Sequence, residues 1–338
     1  MSSPPTLTRK KSAITIVLFV LLFVISSVLL AYLLRETDWS LIKRINPYDL
    51  LLIFALTVLG TIIYVTLIVI LVRGSGYSTS FKTAYLVLTA SLTANYVTPV
   101  KVGIPLRIYL YNQIMNIPVN VGTALVAVEA LAGILIPALI ACIGILFIFP
   151  SLGVLAPIAL AITLLAFLII FLRMPTERVI TIVENLPFSR LNIRILQFAG
   201  RVQFAIKFIP ISTIIIVIIL DIVMLIIQAA RLHLVLNIFI VSPSVFLLLF
   251  ALTISVTIGN LSMIPMGLGV RDASFSFLLT QLGVPTEIAL SASIIQRLFS
   301  PGWPLFLGVI STYILGVGKF IESKSGESTL GTQPIDNS

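Results

Sequence analysis

The chain is poor in the residues that build most active sites. Among 338 residues there is one cysteine, Cys142, and one histidine, His233. No disulfide can close within the chain, and no Cys/His metal cage can form. Both residues sit in long apolar runs, so they read as a packed thiol and an interfacial imidazole rather than a nucleophilic pair. No metal site and no cofactor is expected. There is no P-loop, and no GxGxxG between a strand and an acidic residue. Charge is scarce too. Only 10% of residues are charged, against about 25% in a soluble domain. The polar stretches at residues 1–12, 173–207 and near the C-terminus are each too short for a catalytic domain. What is abundant is apolar surface: 59% of residues are hydrophobic and the mean hydropathy is +1.18. These values exclude a soluble enzyme and a disordered chain. They also make nucleic acid a poor explanation of the +9 net charge.

A helix crosses the hydrocarbon core in about 20 residues. Ala13–Leu34 is free of charge and follows Arg9, Lys10 and Lys11; it reads as an uncleaved first span. Leu50–Val72 is a second uncharged run. Ile108–Leu172 holds a single charge, Glu129, and is divided near residue 150 by Pro150, Gly153 and Pro157. Ile211–Ala230 holds only Asp221, while Val245–Pro265 and Leu298–Gly318 hold none.

Two distant stretches resemble each other. The first runs Thr89, Ser91, Thr93, Asn95, Pro99, Gly103, Arg107, Pro118, Glu129; the second runs Thr253, Ser255, Thr257, Asn260, Pro265, Gly269, Arg271, Pro285, Arg297. Pro and Gly break helices, and broken backbone survives at membrane depth only where protein or trapped water satisfies it. Each copy therefore reads as a hairpin that enters, breaks at Pro-x-x-x-Gly and returns to its own side. Pro99, Gly103, Pro265 and Gly269 are the hinge positions.

Counting sides tests this reading. With the N-terminus cytoplasmic, residues 1–12, 73–82, 173–209 and 318–338 lie inside and carry 13 Lys/Arg. The outside segments carry four: Arg35, Lys43, Arg44 and Arg231. That asymmetry obeys the positive-inside rule. A fully crossing first arm would put the six cations of 173–209 outside. The expected fold is an all-α polytopic membrane protein: about six full spans and two discontinuous re-entrant hairpins forming an inverted-topology repeat. Its parts are a cytoplasmic tail over 1–12, one transmembrane domain over 13–318 and a cytoplasmic tail over 319–338. Within the domain lie repeat arms at 83–149 and 245–318 and a cytoplasmic loop at 173–209.

The stretch PVKVGIPLR at 99–107 resembles the P-x-x-x-G-x-x-x-R element of the lysylphosphatidylglycerol synthase transmembrane family. IPMGLGVRD at 264–272 resembles that family's second element, with Met266 in place of a glycine and Asp272 as its acid. QLGVP at 281–285, and the Pro and Trp that follow Arg297, also fit, so the resemblance covers roughly residues 13–318. It implies a flippase-like membrane domain that moves an aminoacylated phospholipid, or one that serves polyprenyl-linked sugars. The family's soluble aminoacyl-transferase domain does not lie within these residues, so synthase activity is not expected.

A charge at the membrane centre costs roughly 2.5–3.5 kcal/mol on insertion scales, so it lines a cavity or is paired. Glu129 and Asp221 each lie about ten residues into their expected helices, roughly 15 Å deep at the helical rise. Arg107, Arg271, Arg297 and Lys101 are candidates to meet a phosphate, which the planar arginine fork suits. Asp272, Asn95 and Asn260 complete the candidate substrate-binding set. Each has a plain alternative. Lys101 can snorkel to the surface. Arg107 and Arg271 can cap carbonyls freed at the breaks. Glu129 can pair with Arg297, and Asp221 with Arg231. The two asparagines can tie down broken backbone.

The leading expectation is a plasma-membrane transporter or scramblase for an anionic or aminoacylated lipid, with both termini cytoplasmic. Membrane lipids would be its partners. The alternatives are a non-transporting partner of a glycosyltransferase or lipid-synthesis enzyme, and an intramembrane enzyme acting on a lipid headgroup.

Overall fold

A computed structural model describes residues 46–97, 102–173, 209–241, 243–262, 267–300 and 302–315, with a few isolated positions besides. Residues 1–12, the apolar run Ala13–Leu34, Pro99, Lys101, Pro265, most of 173–209 and the 319–338 tail lie outside them. The described residues are helical throughout, with no strand among them. In order, the helices are α1 Pro47–Gly74, α2 Phe81–Val97, α3 Gly103–Met115, α4 Val119–Ile148, α5 Leu155–Arg173, α6 Ile211–Ile238, α7 Val245–Leu261, α8 Val270–Gln281, α9 Thr286–Phe299 and α10 Gly302–Ile314. Among these, α1, α4 and α6 are long and apolar enough to cross a membrane.

Local chemistry sets the helix ends. The Asn46 side chain accepts a hydrogen bond from the Tyr48 N–H, with Pro47 in the first turn, and Ser244 does the same for Leu247. Pro118, Pro210 and Pro285 stand just before α4, α6 and α9 in extended backbone. The division expected near residue 150 is a short 3₁₀ turn, Pro150–Leu152, followed by Gly153 at φ +71°. The run beginning at Leu298 is not one helix: α9 ends at Phe299 and α10 starts at Gly302. Pro301 and Pro304 explain the break, since each lacks a backbone donor.

The apolar residues form two clusters, and the long helices run through both. Val65–Val72 of α1, Leu125 and Val128 of α4 and Val217 of α6 belong to one. Ile53 of α1, Ile136 and Ala141 of α4 and Leu225–Leu236 of α6 belong to the other. Thus α4 and α6 run from the first cluster to the second, and α1 runs oppositely. Between the clusters these helices carry polar groups: Thr57, Thr61 and Tyr64 on α1, Glu129 on α4 and Asp221 on α6.

The shorter helices divide between the clusters. Ala84–Ala90 of α2 and Leu110–Met115 of α3 pack in the first. Leu248–Ile254 of α7 and Phe275–Leu279 of α8 pack in the second. Within each pair, α2 with α3 and α7 with α8, both helices therefore pack in the same cluster. The turns that follow match as well. Asn116 and Gly283 both have positive φ, at +53° and +83°. Each is followed by a buried aliphatic residue, Ile117 or Val284, and then by Pro118 or Pro285. Another proline comes 19 positions later in both, Pro137 and Pro304. The packing is crossed: α2 lies against α10, and α7 against α4. Thr89 donates to Ser311 across the α2–α10 seam at 2.8 Å. Gly308 lies so close to Thr93 and the Thr89 carbonyl that a Cβ would overlap them. Gly144 meets Phe250 across the α4–α7 seam.

Candidate functional site

The polar layer surrounds three adjoining chambers, all lined by Tyr64. The first, about 320 Å³, is lined among others by Asn95, Tyr96, Arg107, Glu129 and Asn260. The second, about 250 Å³, has Glu129, Asp221, Gln228 and Arg271 in its wall. The third, about 170 Å³, has Thr57, Thr89, Gln228 and Arg231.

Two ion pairs are built near the hairpin tips. The buried Arg107 on α3 bonds the Glu129 carboxylate on α4, which also accepts from the Tyr64 hydroxyl. Its Nε donates to Ser91 Oγ at 2.8 Å. One member of the Thr/Ser/Thr series thus holds the arginine, while Thr89 bonds α10. In the second copy Arg297 on α9 grips Asp272 on α8 with two bonds, 2.6 Å from Nε and 2.8 Å from Nη2. Asp272 Oδ2 also accepts from the Gly269 N–H at 3.0 Å, an acid completing the first turn of α8. Arg297 further donates to the Gly267 carbonyl at 3.3 Å. The expected Glu129–Arg297 pairing across the copies is therefore replaced by one pair within each copy.

The matched prolines explain the difference. Glu129 follows Pro118 by 11 positions, and the residue 11 after Pro285 is Gln296, not Arg297. One residue turns a side chain by about 100° around a helix. Likewise Arg107 precedes Pro118 by 11, whereas Arg271 precedes Pro285 by 14. These two arginines are not equivalent, but three residues is close to a full turn, so both look into the polar layer.

Arg271 is the odd cation. Among the described residues its side chain makes no hydrogen bond and no ion pair. Its stem is pressed between glycines: a Cβ on Gly259 or Gly267 would come within 3.0 Å of Arg271 Cβ. Gly269, at φ +74°, starts α8 in a conformation that suits glycine. In the first hairpin Gly103 packs onto the Ser91 carbonyl and the Asn95 side chain, leaving no room for a Cβ. Asn95 Oδ1 is buried with no partner among the described residues, and the break at 98–101 lies outside them. Asn260 is exposed in the first chamber.

Asp221 does not pair with Arg231; its Oδ2 is buried without a partner. Arg231 is no loop residue. It is buried at 4% exposure inside α6 and leaves the outside charge tally. It donates to Thr57 at 3.1 Å and to Gln296 at 3.2 Å. Gln296 and Tyr64 escaped sequence reasoning, because neither carries a formal charge; each shows itself only by lying against one. His233 Nδ1 donates one bond, to the Pro243 carbonyl at 2.9 Å. No group of three or more acidic, His or Cys side chains able to hold a metal occurs among the described residues.

Ion-paired helices lining polar chambers between two apolar clusters are what the described parts of the two family elements build. The family model for the lysylphosphatidylglycerol synthase transmembrane region matches residues 14–308. The chain belongs to this family. No curated protein matches it. As a member of the lysylphosphatidylglycerol synthase transmembrane family, it is a membrane-embedded helical protein, and the family points to a role connected with membrane lipid.

Proposed function

We propose that this protein is a lipid transporter or scramblase whose chambers carry an anionic or aminoacylated headgroup between leaflets. The observation that carries the reading is Arg271, a guanidinium facing a 250 Å³ chamber with no acid bonded to it among the described residues. An isolated cation in low dielectric is costly, and an entering phosphate offsets that cost. Asp221 and Glu129 line the same chamber, where they discriminate against plain anions and favour a headgroup that also carries an amine.

An inverted repeat supports the route. The two hairpins approach the polar layer from opposite clusters, and broken helices meeting at mid-membrane recur in transporters. On this reading α1, α4, α5, α6 and α9 with α10 cross the membrane, and the apolar run at 13–34, read from the sequence alone, supplies a sixth span. Both termini and the 173–209 loop then lie in the cytoplasm, at the plasma membrane. The opposed direction of α1 relative to α4 and α6 agrees with that count.

Reconstitution into liposomes with headgroup-labelled phosphatidylglycerol and its lysyl and alanyl esters tests this. Faster loss of outer-leaflet label than in protein-free vesicles is expected. Arg271→Gln is expected to slow it about tenfold or more while leaving thermal stability within about 0.5 kcal/mol, because no bonded partner is lost. No movement of any of these lipids above the protein-free rate overturns the proposal. It would favour a membrane partner of a glycosyltransferase or lipid-synthesis enzyme instead.

A further inference from the structure

Among the described residues five buried side-chain atoms lack a hydrogen-bond partner, and three of these are donors: Arg231 Nη2, Gln296 Nε2 and Trp303 Nε1. They cluster. Arg231 Nε donates to Gln296 Oε1 at 3.2 Å, which directs the Gln296 amide nitrogen away from the arginine. Trp303 directly precedes Pro304, which lines the same 170 Å³ chamber as Arg231. The two lone acceptors, on Asn95 and Asp221, belong to the other chambers.

Arg231 also has no carboxylate partner among the described residues. The charge that acts on it is that of Arg271, of the same sign. A buried guanidinium beside a like charge is sustained by hydroxyl and amide contacts alone, from Thr57 and Gln296. Protein interiors leave few such donors unsatisfied, and each costs free energy. The remaining wall adds Ser300, the Thr61 and Thr89 hydroxyls, which donate to carbonyls of their own helices, and no acid. A chamber whose lining holds a cation with an unpartnered donor and no carboxylate repels cations and amines and suits a tetrahedral oxyanion.

We propose that Arg231, with the Gln296 amide bonded beside it, forms a second anion subsite at this chamber, which takes a phosphoryl group and is distinct from the chamber faced by Arg271 and Asp221. Tyr64, Gln228 and Ser300 line both chambers, so the two sites are neighbours. The chamber whose lining holds no carboxylate serves phosphate; the mixed one also tolerates an amine. The inference does not depend on transport: a protein that binds phosphoryl groups here and moves no lipid keeps this site and loses the transport reading.

The test uses the full chain in neutral detergent, with thermal unfolding and calorimetric titration. The probes are inorganic phosphate, inorganic pyrophosphate, and mixed micelles containing phosphatidic acid, with phosphatidylcholine micelles as the control. Saturable stabilisation of the wild type by at least one phosphoryl probe, greater than that given by phosphatidylcholine, is expected. Response to inorganic phosphate or pyrophosphate assigns the site to a soluble anion; response only to phosphatidic acid assigns it to a lipid headgroup. Arg231→Gln is expected to weaken that binding about tenfold or more and to leave the probe-free unfolding temperature unchanged or higher, since it removes an unpaired cation. A merely structural arginine would lower that temperature and leave probe affinity unchanged. Gln296→Leu, which keeps the cation, is expected to weaken binding about threefold to tenfold, and Arg231→Lys to restore part of it. Absence of saturable binding by every probe overturns the proposal. So does undiminished binding by Arg231→Gln, or by Gln296→Leu should Arg231→Gln fail to fold.

Discussion

The helix pairs α2–α3 and α7–α8 pack alike and differ in the sign of their charges. In the first, a cation on the returning helix, Arg107, meets an acid on the next helix, Glu129. In the second an acid, Asp272, meets a cation, Arg297. The reason lies in position along the returning helix. Asp272 sits in the first turn of α8, where free N–H groups and the helix dipole favour an acid, and it bonds Gly269 there. Arg107 sits deeper in α3, beyond that field, and takes its support from Ser91 and from the Tyr64-bonded Glu129. The second pair therefore holds the break itself through Gly267 and Gly269, while the first forms part of the chamber wall.

Substitutions should separate these roles. Asp272→Ala is expected to be the most damaging, at about 4–5 kcal/mol, because it strands Arg297 and releases the Gly269 N–H. Detergent-solubilised thermal unfolding measures it; a loss no greater than that of Glu129→Gln would erase the distinction. Glu129→Gln should cost about 3 kcal/mol, since Arg107 loses its counter-charge but keeps Ser91. Its effect on lipid movement should exceed that of Asp272→Asn, once rates are compared at equal folded fraction. Gly308→Ala probes the crossed seams and should cost about 2–3 kcal/mol, because its Cβ meets a carbonyl on α2. Gly144→Ala should cost less, since it meets the Phe250 side chain; equal losses by chemical denaturation would count against this asymmetry. Ser91→Ala should cost about 1.5–2 kcal/mol by removing one acceptor from a charged donor, and Ser255→Ala, which bonds only its own helix at Leu252, should cost less than half of that.

Much of the architecture is legible in the chain alone. Apolar runs, their prolines and their charge asymmetry named α1, the division near 150, α6 and both breaks, because lipid imposes length and composition on a helix. The match of Asn116-Ile117-Pro118 with Gly283-Val284-Pro285 was there to be read as well, but asparagine and glycine share only the positive φ they adopt, which does not show as sequence identity. Arg231 was misplaced for another reason. The apolar run ends at it, yet α6 continues to Ile238 through polar and apolar residues alike, and neighbours from α1 and α9 bury it.

By itself the sequence determined that the chain is helical and lipid-embedded, that two stretches break at Pro-x-x-x-Gly, and that Glu129 and Asp221 stand midway along their helices. These follow from distance along the chain, which the helical rise converts directly into depth. Only the tertiary structure decided which charges meet. Pairing depends on rotation about each helix and on which helices cross, and one residue of offset between Glu129 and Arg297 was enough to direct them to different partners. That same geometry left Arg231 and Arg271 facing chambers without an acid bonded to either, a property of the assembled helices that no residue carries alone.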